Sequence, residues 1–197
     1  SVKNITLKRK LKLISKCLLH QDSLSRPEKN ILDVGAGTGD FLKVCKSNSW
    51  NVFGTEPDAG ARNIAAKKGI VLQKDLSKLI GQKFEIITLW HVLEHVENLS
   101  EYISILKNML ADHGKLIIAV PNFKSDDANY YKEFWAAFDV PRHLWHFSQE
   151  SIAKLFSAVN MMVEKTLPMK FDAYYVSLLS EKYKSGKMNP IKSFYRG

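Results

Sequence analysis

The sequence has few cysteines and no long apolar run. Its two cysteines, Cys17 and Cys45, have neither the spacing of a metal site nor that of a disulfide framework. Two buried thiols fit a reducing compartment, so we expect a cytoplasmic protein. No stretch reaches the roughly 18 apolar residues of a transmembrane helix, and the N-terminal segment is too basic for a secretory signal. These absences predict one globular domain with a full core.

Acidic residues are missing from both ends of the chain. Residues 1–16 carry six basic side chains and residues 182–197 carry five, and neither segment contains an acid. The middle is left with 18 of the 29 basic residues and all 20 acidic ones. A nearly neutral central region argues against a nucleic-acid groove, so we expect no nucleic-acid partner.

Residues 1–29 have the pattern of a basic amphipathic helix followed by a polar linker. Leu7, Leu11, Ile14 and Leu18 fall on one helical stripe, whereas most lysines lie elsewhere. Such a helix packs on its own domain or, alternatively, makes weak contact with an anionic membrane surface. The oligomeric state is not indicated by the sequence.

From residue 30 onward, strand and helix patterns alternate, which predicts an α/β fold with a mostly parallel sheet. The helix over 100–110 is expected to end toward His113 and Gly114, because glycine commonly terminates helices. The helix over 148–159 begins with a capping pattern, Ser148-Gln149-Glu150-Ser151. Strands are predicted at 30–34, 51–55, 71–72, 84–89, 115–120 and 161–165, and further helices at about 40–49, 58–68 and 76–80.

Residues 122–147 interrupt the alternation with a segment rich in aromatic and charged side chains. Long inserts in compact domains are often binding loops, and this one follows a strand at the ligand-binding edge of the predicted sheet. The alternative is a packed insert whose aromatics complete the core. We therefore expect a domain over 30–180 with an insert at 122–147, followed by a basic tail at 181–197.

A glycine-rich turn follows the first strand. The residues Asp33-Val34-Gly35-Ala36-Gly37-Thr38-Gly39 link that strand to a helix, with glycines at alternate positions. Because glycine has no Cβ, the backbone of such a turn can approach a ligand closely. The G-x-G-x-G spacing differs from the G-x-G-x-x-G of dinucleotide-binding proteins, and Asp40 stands where their third glycine would be.

Acidic residues follow the next two strands. Glu56 comes 17 residues after Gly39, where a carboxylate can accept hydrogen bonds from both hydroxyls of an adenosine ribose, and Pro57 makes the turn rigid. Asp75 could bond an adenine amino group while Leu76 flanks the ring. Asp75 could equally cap the following helix.

The segment Trp90-His91-Val92-Leu93-Glu94-His95-Val96 follows the fourth predicted strand. His91 and His95 at positions i and i+4, with Glu94, invite a metal interpretation. The spacing is not H-E-x-x-H and no third ligand is evident, so we expect no metal site. The local alternative is that Trp90 and His91 line a cofactor pocket.

Together these motifs resemble one branch of the class I S-adenosylmethionine-dependent methyltransferases. The glycine loop, the acid after strand 2, "HVLEHV", "VPN" and "DVPRHLWHFSQESI" are similar to the ubiquinone-biosynthesis O-methyltransferases, over roughly residues 30–183. The resemblance implies a doubly wound, Rossmann-like sheet with S-adenosylmethionine as cofactor. The chain departs from the family in having Ala36 where many relatives have Cys, and in lacking a good seventh strand, as if truncated before it. The implied cofactor residues are Asp33, Gly35, Ala36, Gly37, Glu56, Pro57, Asp75, Leu76, Trp90 and His91.

The resemblance also implies that residues 141–148 lie on the acceptor side. An oxygen acceptor would require a base, and His143 and His146 are preferred over His91 and His95. Arg142 could pair with an anionic acceptor group or with Asp139. We expect a small-molecule acceptor with a flat or apolar portion, contacted by His95, Tyr130, Trp135 and Arg142. A module that binds the cofactor without turnover is the alternative, and a nicotinamide-binding protein is disfavoured by the glycine spacing.

Overall fold

The structure, a computed structural model, describes residues 2–18 and 29–196. None of the helices in these ranges combines the length and apolar character needed to cross a bilayer. The strands are Asn30–Val34 (β1), Asn51–Thr55 (β2), Phe84–Trp90 (β3) and Leu110–Ala119 (β4). The α-helices are Val2–Leu18 (α1), Asp40–Lys46 (α2), Ala59–Lys67 (α3), Leu99–Met109 (α4), Asp126–Tyr131 (α5), Gln149–Ser157 (α6), Lys170–Ser185 (α7) and Pro190–Arg196 (α8).

The strands form one sheet in the order β2-β1-β3-β4. β1 pairs in parallel with both β2 and β3, so the predicted α/β class with a mostly parallel sheet is confirmed. The chain runs outward from β1 to β2 and then returns to the opposite side of β1 to form β3. This reversal between β1 and β3 is a topological switch point, where open α/β sheets bind ligands at the carboxyl ends of their strands.

Apolar residues of the central strands and the first helices form a buried core. Ile31, Ile86, Leu42 and Cys45 are fully buried in one cluster, consistent with the expected burial of that thiol. Ile14 of α1 joins the same cluster. The helix therefore packs on its own domain, as its apolar stripe predicts, while the side chain of Leu18 and the linker at 19–28 lie outside the described residues.

Several predicted elements are confirmed closely. β1 and β2 have the predicted bounds, and β3 is one residue longer than predicted. The start of α6 is also as expected, because the Ser148 hydroxyl accepts the Ser151 N–H at 3.2 Å and the Ser151 hydroxyl accepts the Ser148 N–H at 2.8 Å. Residues 170–185, whose pattern favours a helix over the missing seventh strand, form α7.

Two predicted strands are wrong. Residues 71–72 form no strand, and the backbone nearby makes only an isolated bridge between Gln73 and Thr55. Residues 161–165 also form no strand. Val71 and Met162 are 77% and 82% exposed. Because these residues lack a neighbouring strand and a buried face, their high β-propensity does not produce a strand.

The predicted end of the fourth helix is wrong as well. α4 ends at Met109, β4 begins at once, and Gly114 lies inside that strand. A Cβ on Gly114 would stand 2.8 Å from the carbonyl oxygen of Phe84. The glycine therefore permits a close approach of two backbones rather than ending a helix.

The chain divides into two compact units. The first comprises residues 1–92 and 104–118, with α1 to α3, β1 to β3 and nearly all of β4. The second comprises residues 93–103 and 119–197, with α5 to α8. In the second unit, Tyr131, Trp135, Ala128 and Ala137 form a buried cluster.

Candidate functional site

The glycine loop after β1 is built from left-handed backbone turns. Gly35, Gly37 and Gly39 have φ angles of 68°, 53° and 72°, which side chains with a Cβ rarely adopt. A Cβ on Gly35 would stand 2.5 Å from the Val92 side chain, and one on Gly39 would stand 3.0 Å from Ala65. Among the described residues, no atom lies within 4 Å of a Cβ placed on Gly37. Gly35 and Gly39 are thus required by packing, whereas the space above Gly37 is open to a ligand.

The Glu56 carboxylate is held against this loop. Its Oε2 accepts the Gly37 N–H at 2.8 Å, and its Oε1 accepts the Asp58 N–H at 3.0 Å. Arg62 donates to the carbonyls of Glu56 and Pro57 at 2.7 and 2.6 Å, which fixes the turn after β2. Each carboxylate oxygen can accept a second hydrogen bond, so both retain capacity for ligand hydroxyls.

The third predicted segment lies beside the second. The Glu56 N–H donates to the carbonyl of Gln73 at 2.9 Å, which brings the chain before Asp75 to the carboxyl end of β2. Asp75 caps the turn Leu76–Lys78, because its Oδ1 accepts the Ser77 N–H at 2.9 Å. That hydrogen bonding lowers the pKa of Asp75. The structure therefore shows the capping role that the sequence left open, while the side chain of Leu76 is buried.

Asp33 lies at the buried end of β1 and pairs with a residue that sequence analysis missed. Thr88 is its partner in the register with β3, and the Thr88 hydroxyl donates to Asp33 Oδ1 at 2.6 Å. Burial raises the pKa of Asp33 to about 7, against the opposing effects of the Thr88 hydrogen bond and Lys10. The sequence does contain a signal for this pair, since Asp33 and Thr88 are polar residues that each interrupt a buried apolar strand.

The turn after β3 completes the edge of the first unit. The Nζ of Lys10 lies 4.0 Å from the centre of the Trp90 ring, and Phe41 contacts the same ring edge-on. The indole N–H of Trp90 is buried and has no hydrogen-bond partner among residues 2–18 and 29–196. His91 is exposed with a φ of 58°.

A second network missed by sequence analysis fixes the start of α2. Asp40 Oδ2 accepts from Lys3 at 2.6 Å, and Asp40 Oδ1 accepts from Lys68 at 2.8 Å. The Thr38 hydroxyl also donates to Asp40 Oδ2 at 2.8 Å. Partial burial acts to raise the pKa of Asp40, but these three donors hold it well below its usual range. Asp40, at the position of the third dinucleotide glycine, thus anchors the helix after the loop.

In the second unit, a short loop of the insert carries three of the predicted side chains. His143 Nδ1 lies 2.8 Å from the carbonyl oxygen of Ala137, and His146 Nε2 lies 3.0 Å from that of Phe138. Arg142 forms an ion pair with Asp139 at 2.7 Å, the partner that the sequence offered as an alternative to an acceptor group. That ion pair raises the pKa of Arg142.

The same unit brings together a cluster that sequence spacing did not reveal. Glu94 is fully buried, His95 is exposed, and His143 is partly buried. One ligand-type atom from each lies within 4.8 Å of those of the other two. The sequence paired His95 with His91, whereas the second imidazole comes from the insert.

Two predicted substrate residues of the insert have structural contacts. Trp135 is buried, and its indole N–H donates to Asp127 at 2.9 Å. Tyr130 is partly buried beneath the Nζ of Lys184, which lies 4.4 Å from the ring centre. Trp135 therefore contributes to the core of the insert, while part of Tyr130 remains accessible.

A family model described as a methyltransferase domain matches residues 7–166. One curated relative, an uncharacterised methyltransferase of Alkaliphilus oremlandii, is 29% identical over 49% of this chain and 47% of its own length. The chain thus spans about half the length of the curated relative it matches.

Solved structures share the fold. A SAM-dependent methyltransferase from Archaeoglobus fulgidus superposes with a TM-score of 0.62 at 16% identity, over 95% of this chain and 90% of the other. Magnesium protoporphyrin IX methyltransferase from Synechocystis, with bound SAH, gives a TM-score of 0.63 at 18% identity, over 82% and 76% of the two chains. At these identities the likeness concerns the fold.

Proposed function

This chain belongs to the methyltransferase-domain family, and on that premise we propose that it transfers a methyl group from S-adenosylmethionine to an oxygen of a small-molecule acceptor. One observation carries the cofactor assignment. The Glu56 carboxylate is held 2.8 Å from the Gly37 N–H, at the switch point of the sheet and beside open space over Gly37. A ribose diol suits such a carboxylate, because both of its oxygens can still accept a hydrogen bond.

The proposed cofactor site consists of the loop and the turns after β2 and β3. Gly37 would let the backbone approach the ligand, and Glu56 would hold the ribose. Asp33 acts through the loop rather than on the ligand, since its carboxyl group is buried against Thr88. The remaining residues of the proposal border this edge and are Gly35, Ala36, Pro57, Asp75, Leu76, Trp90 and His91.

S-adenosylmethionine would supply a methyl group on a positively charged sulfur that leaves as a neutral thioether. The protein's part is then to hold the acceptor in line with that methyl group, and orientation of this kind can contribute about 7–11 kcal/mol. It also has to receive the proton of an acceptor hydroxyl.

Histidines of the insert are our candidates for that proton transfer. Because a carbonyl oxygen can only accept, the ring nitrogen facing it carries the hydrogen. His143 would therefore present Nε2 as the basic atom, and His146 would present Nδ1. We place His95, Tyr130 and Arg142 on the acceptor side, where exposed aromatics such as Trp145 would suit a flat or apolar acceptor, whereas the buried Trp135 shapes the insert from its core.

Calorimetric titration with S-adenosylmethionine, S-adenosylhomocysteine and NAD tests the cofactor assignment. We expect micromolar binding of the first two and none of NAD. Glu56→Ala should weaken binding by about 1–3 kcal/mol, because a charge-assisted hydrogen bond is lost. The exposed Glu97→Ala is the control and should leave affinity unchanged. Equal affinity for the Glu56 variant would remove the ribose assignment.

Gly37→Val should abolish binding by filling the open space over the loop. The control is Gly81→Val, because Gly81 also has a left-handed φ, and a Cβ on it would likewise meet no atom within 4 Å in the part of the chain that the structure describes. Both variants bear similar backbone strain, so only a ligand over Gly37 distinguishes them. Retained binding in Gly37→Val, or equal loss in both, would contradict the site.

Methyl transfer itself is tested by following S-adenosylhomocysteine formation with a panel of hydroxylated aromatic acceptors. We expect turnover that falls in His143→Ala or His146→Ala with cofactor affinity unchanged. Tight cofactor binding with no product across hydroxyl, amine and carbon acceptors would instead support a binding module without turnover.

A further inference from the structure

Two segments distant in sequence are tied together in the second unit. The carbonyl oxygen of Glu94 accepts the N–H groups of Leu144 and Trp145 at 2.8 and 3.3 Å. The indole N–H of Trp145 donates to the Val96 carbonyl at 2.7 Å. The turn Leu93–His95 and the loop around residue 144 are therefore held in a fixed register.

The imidazoles at this junction are oriented by backbone carbonyls. His95 Nδ1 lies 2.9 Å from the carbonyl oxygen of Arg142, and His143 Nδ1 lies 2.8 Å from that of Ala137. Each Nδ1 therefore carries the hydrogen, and each Nε2 presents a lone pair. Metal-binding histidines usually show this arrangement, in which the second ring nitrogen donates to a carbonyl and fixes the ligating one.

The third group is a carboxylate that the fold removes from solvent. Glu94 has no exposed surface, and its ligand atom lies within 4.8 Å of those of His95 and His143. A second carboxylate is near, since Asp139 Oδ2 is 3.8 Å from His143 Nε2 while Asp139 Oδ1 holds Arg142. A buried carboxylate beside two imidazoles that each offer a ring nitrogen would be stabilised by a bound cation.

We propose that Glu94, His95 and His143 bind a divalent transition-metal ion, with Zn²⁺ as the best match. Two imidazole nitrogens and one carboxylate oxygen are a common zinc donor set, and three protein ligands leave a coordination position open. Metal–ligand bonds of about 2.0–2.2 Å require the ligand atoms to draw closer than they lie here. The exposed side chain of His95 can make that adjustment.

This inference goes beyond the proposed methyl transfer and does not depend on it. The sequence predicted no metal site, because the second histidine considered there was the nearby His91 rather than His143. If His143 Nε2 binds a metal, His146 remains as the imidazole available for proton transfer.

Zinc titration of the chelator-treated full chain tests the site by calorimetry. We expect one Zn²⁺ per chain, and affinity at least about 10–100-fold lower in His95→Ala, His143→Ala and Glu94→Gln, as for changes that disturb a metal site. Mg²⁺, which prefers oxygen ligands, should bind far more weakly. His113→Asn is the matched control, because it also removes one histidine but lies in the other unit and should bind zinc normally.

Zinc binding that is unchanged in His95→Ala and His143→Ala, or equally reduced in His113→Asn, would overturn the proposal. So would Mg²⁺ binding as tight as that of Zn²⁺. Glu94→Gln alters a buried residue, so its circular dichroism and thermal unfolding should be compared with wild type. If it does not fold, His95→Ala decides the question, because its exposed side chain can be removed without opening the core.

Discussion

At the scale of single residues, Asp33 shows how a strand position determines chemistry. Its carboxyl group is buried between β1 and β3, and burial raises its pKa to about 7, although the Thr88 hydrogen bond opposes this. Asp33 therefore holds a proton in the folded state at pH values where the unfolded chain has released it. The proton on Asp33 therefore stabilises the folded state fully below about pH 4, and this stabilisation is lost as the pH rises through about 7.

Asp33→Asn should remove this dependence. The amide cannot ionise, and its oxygen can still accept the Thr88 hydroxyl. We expect wild type and variant to have similar free energies of unfolding near pH 4, and the variant to be more stable by about 2–4 kcal/mol at pH 8. Urea unfolding at a series of pH values measures the difference.

The control for this experiment is Asp75→Asn. The pKa of the exposed Asp75 is lowered by its cap to Ser77, so its contribution to stability is lost as pH falls rather than as pH rises. Parallel pH profiles for wild type and Asp33→Asn would show that Asp33 is ionised in the folded protein throughout this range.

At the scale of elements, α1 illustrates what an apolar stripe can predict. Ile14 is fully buried in the cluster with Phe41 and Leu42, whereas Ile5 is 48% exposed. Ile14→Ala should lower the free energy of unfolding by about 2–5 kcal/mol, the usual range for truncating a buried isoleucine. Ile5→Ala, the same change at an exposed position of the same helix, should alter it by less than about 0.5 kcal/mol.

Chemical denaturation of both variants measures these differences. Equal effects would mean that α1 does not pack on the core through Ile14. If both variants lowered the free energy of unfolding only slightly, the apolar stripe of α1 would be free to contact another surface.

Elements were predictable where local pattern and burial agreed. β1 and β3 are mostly apolar and have neighbouring strands on both sides, and their positions could be predicted from the sequence. The strand expected at 71–72 could not, because strand formation depends on a partner that lies elsewhere in the chain. Gly114 looked like a helix end, since nothing local reveals that the backbone of Phe84 passes beside it.

At the scale of the whole molecule, motif positions were more predictable than side-chain partners. The loop, Glu56 and the turn after β3 follow strands that meet at one edge, so their proximity in the first unit follows from topology. Asp40 pairs with Lys68, which lies 28 positions further along the chain. Glu94 lies near His143, which is 49 positions further along. Such contacts depend on tertiary structure and leave no local signal.

The distribution of charge also belongs to the whole molecule, because 11 of the 29 basic residues lie in two end segments without acids. Several of these cations have internal partners. In the N-terminal segment Lys3 pairs with Asp40 and Lys10 lies over Trp90, and in the C-terminal segment Lys192 pairs with Glu181. Lys8, Lys12 and Lys16 are exposed on α1. We therefore predict weak binding to vesicles that contain phosphatidylserine, decreasing as salt is raised, and none to neutral vesicles.

Changing Lys8, Lys12 and Lys16 together to Gln should weaken vesicle binding by about 3 kcal/mol, at about 1 kcal/mol for each lysine near an anionic surface. The control changes three exposed lysines of the nearly neutral middle, Lys43, Lys154 and Lys165, to Gln and so removes the same net charge. Vesicle sedimentation measures both variants. Equal weakening in the two triple variants would mean that binding depends on net charge alone. If the binding surface lies on α1, only the loss of the α1 lysines weakens binding strongly.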